Sequence, residues 1–195
     1  MPLAVPISFA QFWAFSVAGL VFFLFLVRTA AGRRPESGSK RDRRSQLGII
    51  IQMIGFFVVG FGRVRFDLPA LDPVSIAATA TILCLKGGAI GLFAASSREL
   101  GKNWSLVARM RSDHVLVRSG PYAHVRHPIY LGMLLFLLSL AVALGHWLQL
   151  IVGLPLFLIG TRIRTKSEDE LLEAQFGLEF TDYARSTPAL IPRLG

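Results

Sequence analysis

One cysteine, Cys84, stands in the whole chain, so no intrachain disulfide can form, and no cysteine or histidine cluster has the spacing of a structural zinc site. Charge is scarce. Of 195 residues 17% are Asp, Glu, Lys or Arg, against about 25% in a typical soluble domain. Acidic residues are scarcer still, 12 against 21 basic ones, for a formal net charge of +9. No Gly-x-Gly-x-x-Gly follows a strand pattern, which argues against a Rossmann unit. No basic stretch precedes the first apolar run; Arg28, the first basic residue, follows it. That run therefore reads as a retained anchor and not as a signal peptide.

Excess positive charge in a soluble protein would suggest a nucleic-acid partner. Here the basic residues flank apolar runs, where membrane topology and anionic lipid head groups account for them. We expect no nucleic-acid partner, and no obligate protein partner is evident.

What the chain does have is apolar sequence in blocks, 53% of its residues. A helix needs about 20 such residues to cross a bilayer. Segments 9–27, 47–62 and 75–95 are candidates, the third interrupted by Lys86. The next run, 129–161, is too long for one crossing: a single helix would reach roughly 50 Å against a hydrocarbon core of roughly 30 Å. Gly145, His146 and Trp147 read as a turn, giving a tight hairpin of 129–144 and 147–161. Beyond it Leu171, Leu172, Phe176 and Phe180 form an apolar stripe at helical spacing. The expected fold is an all-α integral membrane protein, a single domain over 1–195. It has about five transmembrane helices including a C-terminal hairpin, and a cytoplasmic amphipathic C-terminal helix. Cys84, inside an apolar run, is expected to be buried and inert. Lys86 is expected either to snorkel, to pack on a helix face, or to have a function, as intramembrane charges often do.

Orientation follows from charge. With the N-terminus outside and the C-terminus cytoplasmic, 18 of the 21 basic residues lie on the cytoplasmic side, as the positive-inside rule requires. Segments 101–130 and 162–185 then share that face. A prokaryotic inner membrane is the expected location.

On that face stands "GPYAHVRHPIYLG", Gly120 to Gly132. Pro128 suits the first position of a helix, where a missing N–H costs nothing. His127 then sits near the N-cap, beside the positive end of the helix dipole. Tyr122 and Tyr130 offer aromatic faces that attract a cation. Gly132 lets a ligand or another helix come close. Taken singly, Tyr, His and Arg here are ordinary interface anchors. Arg164 and Glu168, four apart, read singly as a solvated helix ion pair worth a few tenths of a kcal/mol. Arg162 and Lys166 read as flanking charge, and His146 as a loop residue.

Together, "HVLVRSGPYAHVRHPIYLG", the hairpin after it, and "RTKSEDELLEAQFGLEFTDY" resemble the isoprenylcysteine carboxyl methyltransferase family. That family belongs to a wider group with membrane phospholipid N-methyltransferases. The likeness covers about half the chain, from Gly101 to Tyr183. It implies a methyltransferase that uses S-adenosylmethionine, releases S-adenosylhomocysteine, and binds the cofactor between its last spans and C-terminal helix. Cofactor contacts would fall on His114, Val115, Leu116, Val117, Tyr122, His127, Pro128, Ile129, Tyr130 and Glu168, with a further one aligning near Arg109. Arg164 would face the substrate, and Arg164 and Glu168 would form the catalytic pair. Asp169 stands where many relatives carry a second Glu. No metal is implied. The acceptor would be a prenylcysteine-like carboxylate or other lipophilic molecule entering from the bilayer, among membrane lipids. An amine acceptor is the alternative, with His124, His127 or Glu168 as base, and a non-catalytic membrane scaffold is the alternative of another class. Sterol reductases of related architecture are about twice as long.

Overall fold

Backbone groups in lipid find no water to bond, so an apolar run there closes its hydrogen bonds within a helix. The computed structural model describes residues 5–31, 43–101 and 115–192. Within them lie six α-helices: α1 Phe9–Ala31, α2 Arg43–Gly60, α3 Pro73–Leu100, α4 Pro128–Leu144, α5 Trp147–Phe176 and α6 Leu178–Ser186. A short 3-10 turn, Gly120–Ala123, precedes α4. No strand occurs among the described residues. By length and composition α1, α3 and α5 can each cross a membrane; α4 is apolar but has 17 residues. α2 begins on Arg43 and Arg44 and has 18. These helices mark an integral membrane protein.

Local chemistry sets the ends. Asp72 caps α3, its carboxylate accepting from Val74 N at 2.8 Å, with Pro73 in the first helical position. α4 stops at Gly145, whose φ of 68° is left-handed. A Cβ there would also lie 2.2 Å from the Val5 carbonyl oxygen, so only glycine fits the turn. His146 is more than a loop residue. It is fully buried, and its Nδ1 lies 2.8 Å from the Val59 carbonyl oxygen, tying the turn to the end of α2.

α5 does not stop where the apolar run does, at Thr161, but continues to Phe176. The amphipathic stripe is therefore divided. Leu171, Leu172 and Phe176 lie on the last turns of α5, and Phe180 is buried on α6 beyond Gly177.

The largest helix contacts are α2 against α5 and α3 against α4. Gly48 and Gly55 of α2 face Gly160 and Gly153 of α5, backbone against backbone, the close approach that small residues allow between membrane helices. Gly132 of α4 lets a helix come close: a Cβ on it would lie 3.3 Å from the Ala89 carbonyl oxygen of α3. Lys86 does not snorkel. It is 1% exposed, with its ammonium 3.2 Å from the ring centre of Phe136 and 3.7 Å from that of Phe15. The two cation–π contacts join α1, α3 and α4. Cys84, expected to be buried, lies on the exposed face of α3. In a membrane protein an apolar run faces lipid as readily as protein, so hydropathy alone does not locate the interior.

Candidate active site

The start of α4 and the polar end of α5 meet at one end of the bundle. Pro128 sets the first turn of α4, and His127 is its N-cap residue but makes no side-chain cap bond. The ring turns instead to α5. Its Nε2 lies 2.9 Å from Asp169 Oδ1, and its Nδ1 lies 3.4 Å from Glu168 Oε2. The Tyr130 hydroxyl donates to the other oxygen of Glu168. Arg126 Nη2 donates to Asp169 Oδ2 at 3.0 Å. Two carboxylates from α5 are thus held by three side chains of "RHPIY": a guanidinium, an imidazole and a phenol.

The C-terminal segment closes one side. Arg126 Nη1 donates to the carbonyls of Ala184 at 2.9 Å and Thr187 at 2.6 Å, capping α6. The backbone N–H groups of Arg126 and His127 donate to Pro188 and Ala189 carbonyls at 2.9 and 3.0 Å. The Tyr183 hydroxyl donates to the Tyr122 carbonyl at 2.6 Å. Tyr122 is buried, and that burial, reinforced by the charge of Glu168, pushes its hydroxyl well above the ordinary tyrosine value.

Arg164 lies one turn before Glu168 and is 9% exposed. Its guanidinium sits 4.8 Å from the ring centre of Tyr130, and its Nη1 donates to Gln52 Oε1 at 3.0 Å. In place of a simple i,i+4 pair, Glu168 turns to α4 while Arg164 reaches both α4 and α2.

His127, Pro128, Tyr130, Arg164 and Glu168 are therefore brought together, with Tyr122 close behind, its hydroxyl within reach of the Glu168 charge. Ile129 is half-buried in the first turn of α4. Val115 is exposed and Leu116 and Val117 half-buried, on the segment that leads into the turn at Gly120. Arg109 and His114 lie outside the described residues. His124 is exposed. Gln52, Arg126, Asp169 and Tyr183 carry contacts that sequence reading did not assign. A glutamine inside the apolar run of α2 was the one available signal for Gln52. A separate cleft of about 480 Å³ opens between α1 and α3, lined by Phe25, Arg28, Thr29, Ser97, Arg98 and Gly101.

Burial opposes charge on His127, but the hydrogen bonds and charges of Asp169 and Glu168 override it and raise its pKa to about 9. At neutral pH the ring is an imidazolium between two carboxylates. A pKa raised above the unfolded value of about 6.5 stabilises the fold in full below that value. The contribution disappears as pH rises through about 9. Between pH 6.5 and pH 9.5 this His127 contribution should lower the melting temperature of the detergent-solubilised protein as it is lost. His127→Gln should flatten that dependence by an amount on the order of a few kcal/mol. Equal pH slopes in wild type and variant would place the imidazolium outside this network.

Comparison with known proteins gives a consistent result. Residues 80–174 match the isoprenylcysteine carboxyl methyltransferase (ICMT) family. The chain is 31% identical over 155 residues to the cobalt-zinc-cadmium resistance protein CzcN of Cupriavidus metallidurans, covering 77% of this chain and 65% of that one. It is 34% identical over 97 residues to the protein-S-isoprenylcysteine O-methyltransferase of Schizosaccharomyces pombe, covering 48% of this chain and 41% of that one. The solved structure of the eukaryotic intramembrane Ras methyltransferase ICMT superimposes with a TM-score of 0.50 at 20% identity. That superposition covers 76% of this chain and 52% of the other, and it speaks to fold alone. The chain thus spans less than two thirds of the length of each of these proteins.

Proposed function

This chain belongs to the isoprenylcysteine carboxyl methyltransferase family, and from that premise we propose that it transfers a methyl group from S-adenosylmethionine to a lipophilic acceptor at the membrane. The observation that carries the reading is the convergence of Glu168 and Arg164 from α5 on Tyr130 and His127 at the start of α4. The residues fit the cofactor's chemistry. Glu168, with a quarter of its side chain exposed, is an anion beside the aromatic ring of Tyr130, a setting suited to a cationic ligand. Val115, Leu116 and Val117 present apolar surface leading toward the site, suited to an adenine.

When bound, S-adenosylmethionine supplies an electrophilic methyl on a sulfonium. The residues contribute alignment and a dry site. Tyr130, neutral and donating to Glu168, fixes the direction of that carboxylate. His127 and Arg126 hold Asp169 alongside and so keep the end of α5 against α4. Arg164 holds an acceptor carboxylate through its fork of N–H donors. A carboxylate acceptor needs no base, whereas an amine must lose a proton. His127, already protonated at neutral pH between its two carboxylates, is poorly placed to take one, and it is the buried Arg164 cation that favours the carboxylate. We place this end of the bundle on the cytoplasmic side, since that puts most basic residues there, and the acceptor's entry in the plane of the bilayer. A prokaryotic inner membrane fits the same reading. One relative is named for resistance to cobalt, zinc and cadmium. Among the described residues no three His, Cys, Asp or Glu side chains are arranged to hold a metal ion, and the proposed reaction uses none.

Calorimetric titration of the detergent-purified protein with S-adenosylhomocysteine tests the reading. Wild type should bind saturably, and Tyr130→Ala and Glu168→Ala should each weaken binding by about tenfold or more, the loss expected when a charge-assisted contact is removed. A folded wild type that binds none would end the methyltransferase reading.

A further inference from the structure

The family match begins at residue 80, yet α2, which precedes it, sends a side chain into the same site. Gln52 lies inside "GIIIQMIG" and is fully buried. An amide left unpaired in an apolar interior is costly, and this one is paired at both ends. Its Oε1 accepts from Arg164 Nη1 at 3.0 Å, and its Nε2 donates to Thr161 Oγ1 at 2.8 Å. Thr161 and Arg164 are three apart on α5 and so share a face. The two bonds fix which way round the amide sits, because reversal would set its NH2 group against the guanidinium donors. Glycine makes the approach possible: a Cβ on Gly160 would lie 2.8 Å from both the backbone nitrogen and the Cγ of Gln52. The guanidinium is also packed on the ring of Tyr130 from α4, 4.8 Å away. A glutamine from α2 and a tyrosine from α4 thus hold one arginine of α5.

We propose that Gln52 is a positioning residue for methyl transfer, aiming the Arg164 guanidinium at the acceptor. Neutrality matters to this role. A carboxylate at position 52 would hold the same Nη1 but satisfy the guanidinium's charge, leaving a poorer clamp for an anionic acceptor. The inference rests on the reading of Arg164 as the group that faces the acceptor.

Two variants separate the contributions. Gln52→Met keeps side-chain length and removes both hydrogen bonds. Gln52→Glu keeps an acceptor for Arg164 and adds a charge. The measurements are steady-state kinetics with N-acetyl-S-farnesylcysteine, calorimetric S-adenosylhomocysteine binding, thermal unfolding, and ¹⁵N NMR of the Arg164 guanidinium. Both variants should lower kcat/KM for the acceptor by about ten- to a hundredfold, as expected for a displaced positioning group, with cofactor affinity unchanged. Gln52→Glu should melt no lower than wild type. The Arg164 Nη1 resonance, which reports the bond to Gln52 Oε1, should shift in Gln52→Met. Wild-type kcat/KM in Gln52→Met overturns the proposal, as do equal losses of turnover, cofactor affinity and stability, which assign Gln52 to helix packing alone. A folded wild type that binds no S-adenosylhomocysteine, while its Arg164 Nη1 resonance still shifts in Gln52→Met, separates the two failures: the reaction is then wrong and the anchoring of Arg164 right.

Discussion

Arg164→Ala should lower kcat/KM by about a hundred- to a thousandfold, the scale seen when one preorganised donor is removed from a reacting oxyanion, while S-adenosylhomocysteine still binds. The reason is the division of labour along one face of α5. Glu168 is bound up with Tyr130 and His127, whereas Arg164, one turn earlier, is held by Gln52 and Tyr130. Removing the arginine leaves the Glu168 contacts in place and takes away the group assigned to the acceptor. Arg164→Lys should fall nearly as far. Lysine keeps the charge but loses the planar fork and the guanidinium contact with the Tyr130 ring, both of which orient the donors. Arg164→Ala also strips Gln52 of a partner, a loss worth about 1–3 kcal/mol of stability, so thermal unfolding must be read beside the kinetics and Arg164→Lys serves as the folded control. The same pair of variants decides the acceptor. A carboxylate needs the oriented guanidinium fork, and both variants lose activity. An ammonium acceptor would be repelled by it, so Arg164→Ala would leave activity intact or raise it. Loss of cofactor binding in Arg164→Lys would move the residue to the cofactor side of the site.

The all-helical architecture was legible because lipid leaves a spanning chain few alternatives. Hydropathy marked the apolar runs, and the left-handed Gly145 and buried His146 stand where the longest of them breaks. What hydropathy could not mark was the end of α5. The helix runs on through Arg162, Lys166, Glu168 and Asp169 to Phe176, and polar residues form helix as readily as apolar ones once they leave the lipid. Nor could it mark which face looks inward. Cys84 lies outward and Lys86 inward, two residues apart on α3. At the site, the motif "RHPIY" and the pair Arg164 and Glu168 were readable as types in a pattern. Their partners were not. Asp169 drew notice only as a departure from a second glutamate, yet it is the atom pair that holds both Arg126 and His127. Gln52 is 112 residues from Arg164 in the chain, and no local pattern joins the two. Only the crossing of α2 and α5 does.

That crossing carries the largest expected effect on folding. A Cβ on Gly160 would lie 2.6 Å from the carbonyl oxygen of Gly48 and 2.8 Å from the backbone nitrogen of Gln52. One on Gly48 would lie 2.8 Å from the Gly160 carbonyl oxygen, and one on Gly55 2.8 Å from that of Gly153. These neighbours are backbone atoms, which cannot rotate aside, so any side chain must push the helices apart. Alanine gains up to about 1 kcal/mol of helix propensity over glycine, but overpacking of this kind costs typically 1–3 kcal/mol. Gly160→Ala should therefore melt several degrees lower than wild type. Gly160→Leu should yield little folded protein, and what folds should lack activity, because a separated α2 withdraws Gln52 from both Thr161 and Arg164. Gly87 of α3 supplies the control, since a Cβ there meets nothing within 4 Å. Gly87→Ala should melt at or slightly above the wild-type temperature, showing the propensity gain without the clash. If Gly160→Ala and Gly87→Ala shift the melting temperature alike, α2 and α5 are not in backbone contact. The grip of Gln52 on Arg164, which needs that contact, would then fall with it.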